Sequence, residues 1–372
     1  MSTHEYEVGL HKSELDTPVL LIDLPTMERN LHKMANYFQG VEANLRPHIK
    51  LHKATPALAH SQLEAGAIGL TCANLSEAEV LAAAGIKDIL IANQIVGEQK
   101  IRRLVNLAVY TNVIVAVDDY DNVRQLSHAA EARGVKLRIL VEVDIGNARC
   151  GVDPGRPALD LSQAVHKSPG LIYMGLMGYD GHLTFQVDPA DRERLAIAAN
   201  TLLVETRQLI ETAGLEVRIV SASGTFTYKY VSKLKGITEV QAGTYLLMDT
   251  AFKEKGVTDF DCALSVLSTV ISRPSRPGAE DLAIIDVGRK GIDNYYGLPE
   301  VKSPPGAMLF SMPQEHGRLR LEGTALELKV GDKIELWVRD ANGTINLYDK
   351  FYAIRNEIVE AVWEIPGRGK AT

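Results

Sequence analysis

The sequence predicts an α/β protein, a (β/α)8 barrel joined to a smaller β domain, and three observations predict it. From about residue 40 to 250, short apolar runs alternate with stretches of helical periodicity. Eight such runs occur, the number that closes a parallel barrel. After about residue 260 the long helical patterns stop, and apolar runs joined by Gly/Pro turns take over. A chain of 372 residues is also too long for one small core.

The barrel strands are read at Leu45–Lys50, Ile68–Cys72, Ile89–Asn93, Val113–Val117, Leu137–Val143, Ile172–Gly178, Val217–Ser221 and Thr238–Gln241. Pro56–Ala65, Ser76–Ala84, Glu98–Leu107 and Asp191–Thr212 are helix candidates between them. Thr55 before Pro56 is a helix start, as is Ser76 with Glu79 three residues on. Gly66, Gly85, Gly134 and Gly214 supply helix stops. A doubly wound open sheet is the alternative, but no G-x-G-x-x-G follows a first strand. In the last third, Ala263–Ile271, Leu282–Val287, Lys333–Val338 and Glu357–Ile365 read as strands. The early strand Pro18–Asp23, ahead of the helix Pro25–Phe38, is assigned to the same sheet. The expected division is therefore a barrel over 24–258 and a β domain from 1–23 and 259–372.

Composition narrows the function. Apolar residues at 46% and charged ones at 23% are ordinary for a globular enzyme. A net charge of −7 with no basic run argues against nucleic acid. No segment approaches the ~18 apolar residues of a membrane span. The first residues, MSTHEYEVGLHKSELD, are polar and acidic, unlike a signal peptide. Cys72, Cys150 and Cys262 are far apart and show no metal spacing, which fits a reducing compartment, the cytoplasm.

In such a barrel, chemistry sits at the C-terminal ends of the strands. Those ends carry Lys50, Thr71–Asn74, Asn93–Gln94, Asp118, Asp144 followed by Arg149, Tyr179–His182, Ser221–Gly224 and Gln241–Gly243. In LRPHIKLHK, strict alternation places Arg46, His48, Lys50 and His52 on one face and apolar residues on the other. The outer face of a barrel strand packs on helices, so the cationic face is read as the interior. Four such groups indoors are costly unless they hold an anion or do chemistry. Like-charge crowding also favours the neutral amine that imine formation requires. An exposed edge strand with ordinary surface charges accounts for the pattern equally well. Further on, SASGTFTY (221–228) and QAGTY (241–245) end strands seven and eight with small residues whose backbone N–H groups suit a phosphate. Barrels of this class commonly bind phosphate there.

Taken together, these segments resemble the D-threonine aldolase / D-serine dehydratase family, fold-type III pyridoxal-phosphate enzymes related to alanine racemase. TPVLLIDLPTMERN, LRPHIKLHK, QLEAGAIGLTCANLSEAEVLAAAGIKDILIANQ, RCGV, SGT, IDVGRKGID and TINLYD match its pattern in order, over nearly the whole chain. The resemblance implies bound pyridoxal 5'-phosphate, an amino-acid substrate and a homodimer. It makes Lys50 the Schiff-base residue, with His48 beside it and Lys53 as the competing lysine on the opposite face. It places Arg149 near the cofactor ring or the substrate carboxylate and Tyr179 beside the cofactor. Ser223, Gly224, Thr225, Gly243, Thr244 and Tyr245 fall in the phosphate-binding turns, and Gln241 becomes a possible ring contact. His182 is a candidate acid or base, although a packed core histidine fits as well. His316 in QEHG also matches a family position.

One departure is plain. Metal-dependent members carry a His-x-Cys or His-x-Asp pair just before T-[VI]-N-L-[YH]-D, whereas this chain has Asp340 and Asn342 there, in RDANGTINLYD. An oxygen-only pair suits a hard ion such as Mg²⁺ or Mn²⁺ better than zinc, and a simple turn suits the residues better still. Whether a divalent metal binds is left open. Three functions follow: a lyase acting on β-hydroxy-D-amino acids, a metal-independent racemase or epimerase, or a non-enzymatic pyridoxal-phosphate-binding protein. The substrate-side groups Arg149, Tyr179 and His182 weigh against the last.

Overall fold

The computed structural model describes residues 5–186 and 188–372. Two compact units emerge, one built from the chain through Leu31, Leu51–Thr55 and Tyr245–Gly369, the other from His32–Lys50, Pro56–Thr244 and Lys370–Thr372. The strand β1 (Val19–Asp23) opens the first unit and leads into α1 (Leu24–Phe38).

The second unit is the barrel. Its strands are β2 (Asn44–Leu45), β3 (Leu70–Cys72), β4 (Asp88–Gln94), β5 (Asn112–Val117), β6 (Leu137–Glu142), β7 (Leu171–Gly178), β8 (Ile219–Ala222) and β9 (Glu239–Val240). They run in the order β2-β9-β8-β7-β6-β5-β4-β3, every pair parallel. Backbone bonds then join the two ends of that order: Ile68 N–H to the Leu45 carbonyl at 3.0 Å, and Thr71 N–H to the Pro47 carbonyl and Ile49 N–H to the Thr71 carbonyl, both at 2.8 Å. The expected (β/α)8 barrel is the one that forms. Strands covered on both faces must be apolar throughout, so runs such as Val113–Val117 locate them without alternation.

Between the strands lie α2 (Pro56–Glu64), α3 (Leu75–Ala83), α4 (Glu98–Leu107), α5 (Tyr120–Arg133), α6 (Arg156–Lys167), α7 (Pro189–Thr212) and α8 (Tyr228–Val231). Asp119 and Asp188 accept backbone N–H groups at the starts of α5 and α7, and Gly134 closes α5 in the left-handed region. The start of α3 differs from the sequence reading. Asn74, not Ser76, is the cap and accepts the Glu77 N–H at 2.9 Å, while Glu79 is drawn off to Arg103.

The first strand also differs. Its ladder ends at Leu45, a single bridge joins His48 to Thr71, and the chain then turns through 49–54, with Lys53 and Ala54 at positive φ. Its cationic face is no uncompensated crowd. Arg46 is buried, with Nε 3.0 Å from both Glu239 oxygens and Nη1 on Asp88. His52 is fully buried and belongs to the other unit.

The first unit is a nine-stranded sheet of β1, β10 (Leu264–Ser272), β11 (Leu282–Ile285), β12 (Val301–Ser303), β13 (Ala307–Ser311), β14 (Gly317–Leu321), β15 (Lys333–Trp337), β16 (Lys350–Arg355) and β17 (Ile358–Glu364). The path runs β13-β14-β11-β10-β1-β16-β17, with β15 on β10 and β12. Only the β1–β16 pair is parallel. The strand 301–303 is too short to announce itself in sequence and 317–321 breaks its apolar residues with arginines, while Ala307–Phe310 is an apolar run that the sequence reading passed over. Two short helices, α9 (Thr250–Glu254) and α10 (Ala341–Ile345), complete this unit. Among the described residues no helix is long and apolar enough to cross a membrane.

Candidate active site

In the barrel unit, Tyr179 organises the site. It stands just past the end of β7, and its ring is approached by the Lys50 Nζ at 5.8 Å and by the Arg149 guanidinium at 5.3 Å from the centroid. Both are cation–π distances. Close packing fixes the ring. A Cβ on Gly181 would overlap its Cε1 edge, and one on Gly224 would lie 3.4 Å from Cε2. The lysine thus lies on the turn after the first barrel strand, against a ring delivered by the sixth.

Arg149 is held by an electrostatic relay. Its Nη2 is 3.4 Å from Glu142 Oε1, and Gln94 Nε2 donates to Glu142 Oε2 at 2.6 Å. Glu142, at the end of β6, is 3% exposed. Burial pushes its carboxyl above the ordinary range, and Gln94 and Arg149 oppose that. The turn carrying Arg149 is itself pinned, because Asp144 Oδ1 accepts the N–H groups of Gly146, Asn147 and Ala148 at 2.9–3.1 Å. Arg149 is about half exposed, at 51%, and also reaches the neighbouring Cys150 thiol.

On the other side of Tyr179, Asp180 is buried and accepts Asn200 Nδ2 at 3.1 Å and the Thr227 hydroxyl. Burial raises its carboxyl as well. The Thr227 hydroxyl also meets Ser223 Oγ at 2.8 Å, and Ser223 itself takes φ +66°. Asp180 therefore ties the Tyr179 strand end to the 223–227 turn. Thr225 and Thr244 are buried hydroxyls in the two turns after strands seven and eight. Gly243 is obligatory, since any Cβ would overlap the His48 carbonyl. His48 Nδ1 accepts the Lys50 N–H at 3.3 Å.

Four other sequence-predicted residues have defined places. Gln241 donates through Nε2 to Ser221 Oγ at 2.8 Å. His182 is exposed, with its ring over Gly146, where a Cβ would come within 3.3 Å. Tyr245 is fully buried against Phe260, centroids 5.6 Å apart. Lys53 takes φ +50° in the sheet unit, and its carbonyl accepts the Gly367 N–H at 3.0 Å. Sequence reasoning missed Glu142 and Asn200, and met Asp180 only as part of the polar strand end Tyr179–His182. The signal for Glu142 was a lone carboxylate near the C-terminal end of the mostly apolar run Leu137–Val143, next to last in it.

Comparison with known proteins now has a geometry to stand on. The model of the alanine racemase N-terminal domain matches residues 22–251, and that of a putative serine dehydratase domain matches 263–354. A D-threonine aldolase from Arthrobacter sp is 34% identical over 96% of this chain and 94% of its own length. The chain belongs to the D-threonine aldolase / D-serine dehydratase family. A 3-hydroxy-D-aspartate aldolase of Paracoccus denitrificans (strain Pd 1222) is 33% identical over 97% and 94% of the two chains. A D-threo-3-hydroxyaspartate dehydratase of Delftia sp. (strain HT23) is 30% identical over 87% and 89%. The crystal structure of D-threonine aldolase from Filomicrobium marinum superimposes with a TM-score of 0.93 at 35% identity, covering 98% of each chain. A variant of D-threo-3-hydroxyaspartate dehydratase in a metal-free form gives 0.86 at 27%, covering 95% and 98%.

The family's cofactor fits these residues. Lys50 offers an amine, Tyr179 a flat face, Arg149 a half-exposed cation, and the 223–225 and 243–244 turns offer hydroxyls and Cβ-free backbone. The family's metal is another matter. In the β-sheet unit Asp340 Oδ1 accepts the Gly343 N–H at 3.1 Å and caps α10, the turn reading of 340–343. Among the described residues no three His, Cys, Asp or Glu side chains converge as metal ligands. These residues do not fit a divalent ion.

Proposed function

We propose that this chain is a pyridoxal-phosphate-dependent lyase cleaving β-hydroxy-D-amino acids, of the aldolase kind, with Lys50 as the cofactor-holding lysine. The observation that carries it is the convergence of the Lys50 ammonium and the Arg149 guanidinium on Tyr179, beside the Ser223–Thr225 turn. The relatives at 33–34% identity are aldolases, and the dehydratase stands at 30%. Elimination of water is therefore the second reading. A racemase is not favoured, since all three of these relatives have lyase names.

Each residue then has a task. Lys50 would hold the cofactor, and its amine is the group at hand for proton transfer. When bound, the cofactor supplies an electron sink for the bond that breaks at Cα. Arg149 takes the substrate carboxylate, its orientation fixed by Glu142 and by the Asp144 turn. His182 accepts the β-hydroxyl proton at a ring nitrogen. Ser223, Gly224, Thr225, Gly243 and Thr244 bind the phosphate, with Asp180 holding the first of these turns in place. His48 and Gln241 steady the walls. We further infer a homodimer, from the family resemblance, and a cytoplasmic location, from three free thiols.

The test uses purified protein with D-threonine, D-serine and D-3-hydroxyaspartate, assayed for glycine, keto acid and optical activity. Glycine plus aldehyde is expected. Keto acid plus ammonia moves the assignment to dehydratase, and loss of optical activity alone overturns both. Lys50→Ala is expected to abolish turnover and the visible absorbance of bound cofactor. Cofactor bonded to any other lysine refutes the assignment.

A further inference from the structure

The turn that stands where metal-dependent members keep their His-x-Cys or His-x-Asp pair is packed against charged side chains from elsewhere in the sheet unit. Asp249 accepts the Phe252 N–H at 2.9 Å through one oxygen and the Ala341 N–H at 3.1 Å through the other. Asp340 is committed to Gly343. Asp293 lies so close that a Cβ on Gly343 would come within 2.6 Å of its carboxylate. The Lys255 Nζ is withdrawn from solvent, 3.9 Å from the centroid of the Tyr296 ring, and the carboxylates that act on it are Asp249, Asp340 and Glu254. That ring is placed by Arg339, whose Nε donates to the Tyr296 carbonyl at 2.6 Å and whose Nη1 and Nη2 clamp Glu254 at 2.6 and 2.5 Å. Burial, with Arg339 adding to it, holds Lys255 below its ordinary value, and Asp249, Asp340 and Glu254 offset part of that. The ammonium in turn favours the charged forms of Asp249 and Asp340.

A divalent ion entering here meets two fixed positive charges and carboxylate oxygens already engaged by backbone N–H groups. We infer that the Lys255 ammonium is the resident cation of this turn, in place of a divalent ion, so that the reaction of this chain needs no added metal. The statement about the reaction rests on the lyase reading above; the statement about the turn does not.

Mn²⁺ alone is titrated into the cofactor-loaded, chelator-dialysed full chain, and the signal of the free ion is followed by electron paramagnetic resonance. The native chain is expected to leave the ion free. Lys255→Met, which removes one like charge, is expected to bind Mn²⁺ at least about tenfold more tightly, and Lys255→Arg to behave as native. One Mn²⁺ bound per native chain, or no gain in Lys255→Met, overturns the inference. Should Lys255→Met fail to fold, the native chain decides alone. Cleavage unchanged by EDTA and by added Mn²⁺ supports the inference, and a loss of more than about tenfold on chelation refutes it. A chain that binds no Mn²⁺ and cleaves no β-hydroxy-D-amino acid sinks the lyase reading and leaves Lys255 in its role.

Discussion

At the scale of single residues, the chain keeps several carboxyls in places water does not reach, and one has a measurable consequence. Asp249 is buried, and burial, with Asp340 nearby, pushes its carboxyl up to about 6. Its folded form therefore holds a proton more tightly than the unfolded chain does. The resulting stability is fully present below about pH 4 and is lost as pH rises through about 6. A shift of roughly two units corresponds to about 3 kcal/mol. Asp249→Asn keeps an acceptor for the Phe252 N–H and removes the titration. Between pH 4 and pH 7.5 the native chain is expected to lose about 3 kcal/mol relative to the variant, read from urea midpoints at each pH. A difference that stays flat across this range contradicts the raised carboxyl.

At the scale of elements, the barrel was legible because buried parallel strands must be unbroken apolar runs. Val113–Val117 and Leu171–Gly178 announce themselves for that reason. Their pairing was not legible. Between β6 and β7 the register slips, with Tyr173 opposite Ile139 but Gly175 opposite Leu140. Gly175 takes φ +143° with its Cα against the Ile219 carbonyl of β8, where any Cβ would overlap the oxygen. This bulge sits on the strand that ends in Tyr179, so it helps aim the ring. Gly175→Ala is expected to cost about 3 kcal/mol or more, since backbone faces backbone and neither yields cheaply. It should also weaken cofactor retention, measured by equilibrium dialysis. Normal stability with normal retention would remove the bulge from the account of the site. The candidate residues were legible in the same partial way. Lys50, Arg149 and Tyr179 sit at strand ends and carry unusual chemistry, whereas Asp180 and Asn200 meet only in the folded chain, 20 positions apart.

At the scale of the barrel as a whole, the two ends do different work, and Arg46 marks the division. The first strand's alternation correctly turned Arg46 inward but gave it the wrong occupation, because its partners come from distant strands. Glu239 begins β9 and Asp88 begins β4, so one guanidinium bridges both sides of the seam where the barrel closes. Burial works against the Arg46 charge, and Glu239 and Asp88 outweigh it. Gly69, just before β3, leaves the space, since a Cβ there would overlap Nη1. The N-terminal end is thus an ionic staple, while Lys50, Arg149 and Tyr179 hold the opposite end, where barrels of this class keep their chemistry. Arg46→Met leaves Glu239, 1% exposed, as an uncompensated buried charge, and is expected to cost about 3–5 kcal/mol. The double variant Arg46→Met with Glu239→Gln removes that charge and is expected to recover most of the loss. Cofactor-loaded double variant should keep the native KM, because no staple atom is assigned a part in binding. A double variant no more stable than Arg46→Met alone would show that the guanidinium contributes by packing, and that the seam is closed by the backbone bonds of Leu45, Pro47 and Thr71 without it.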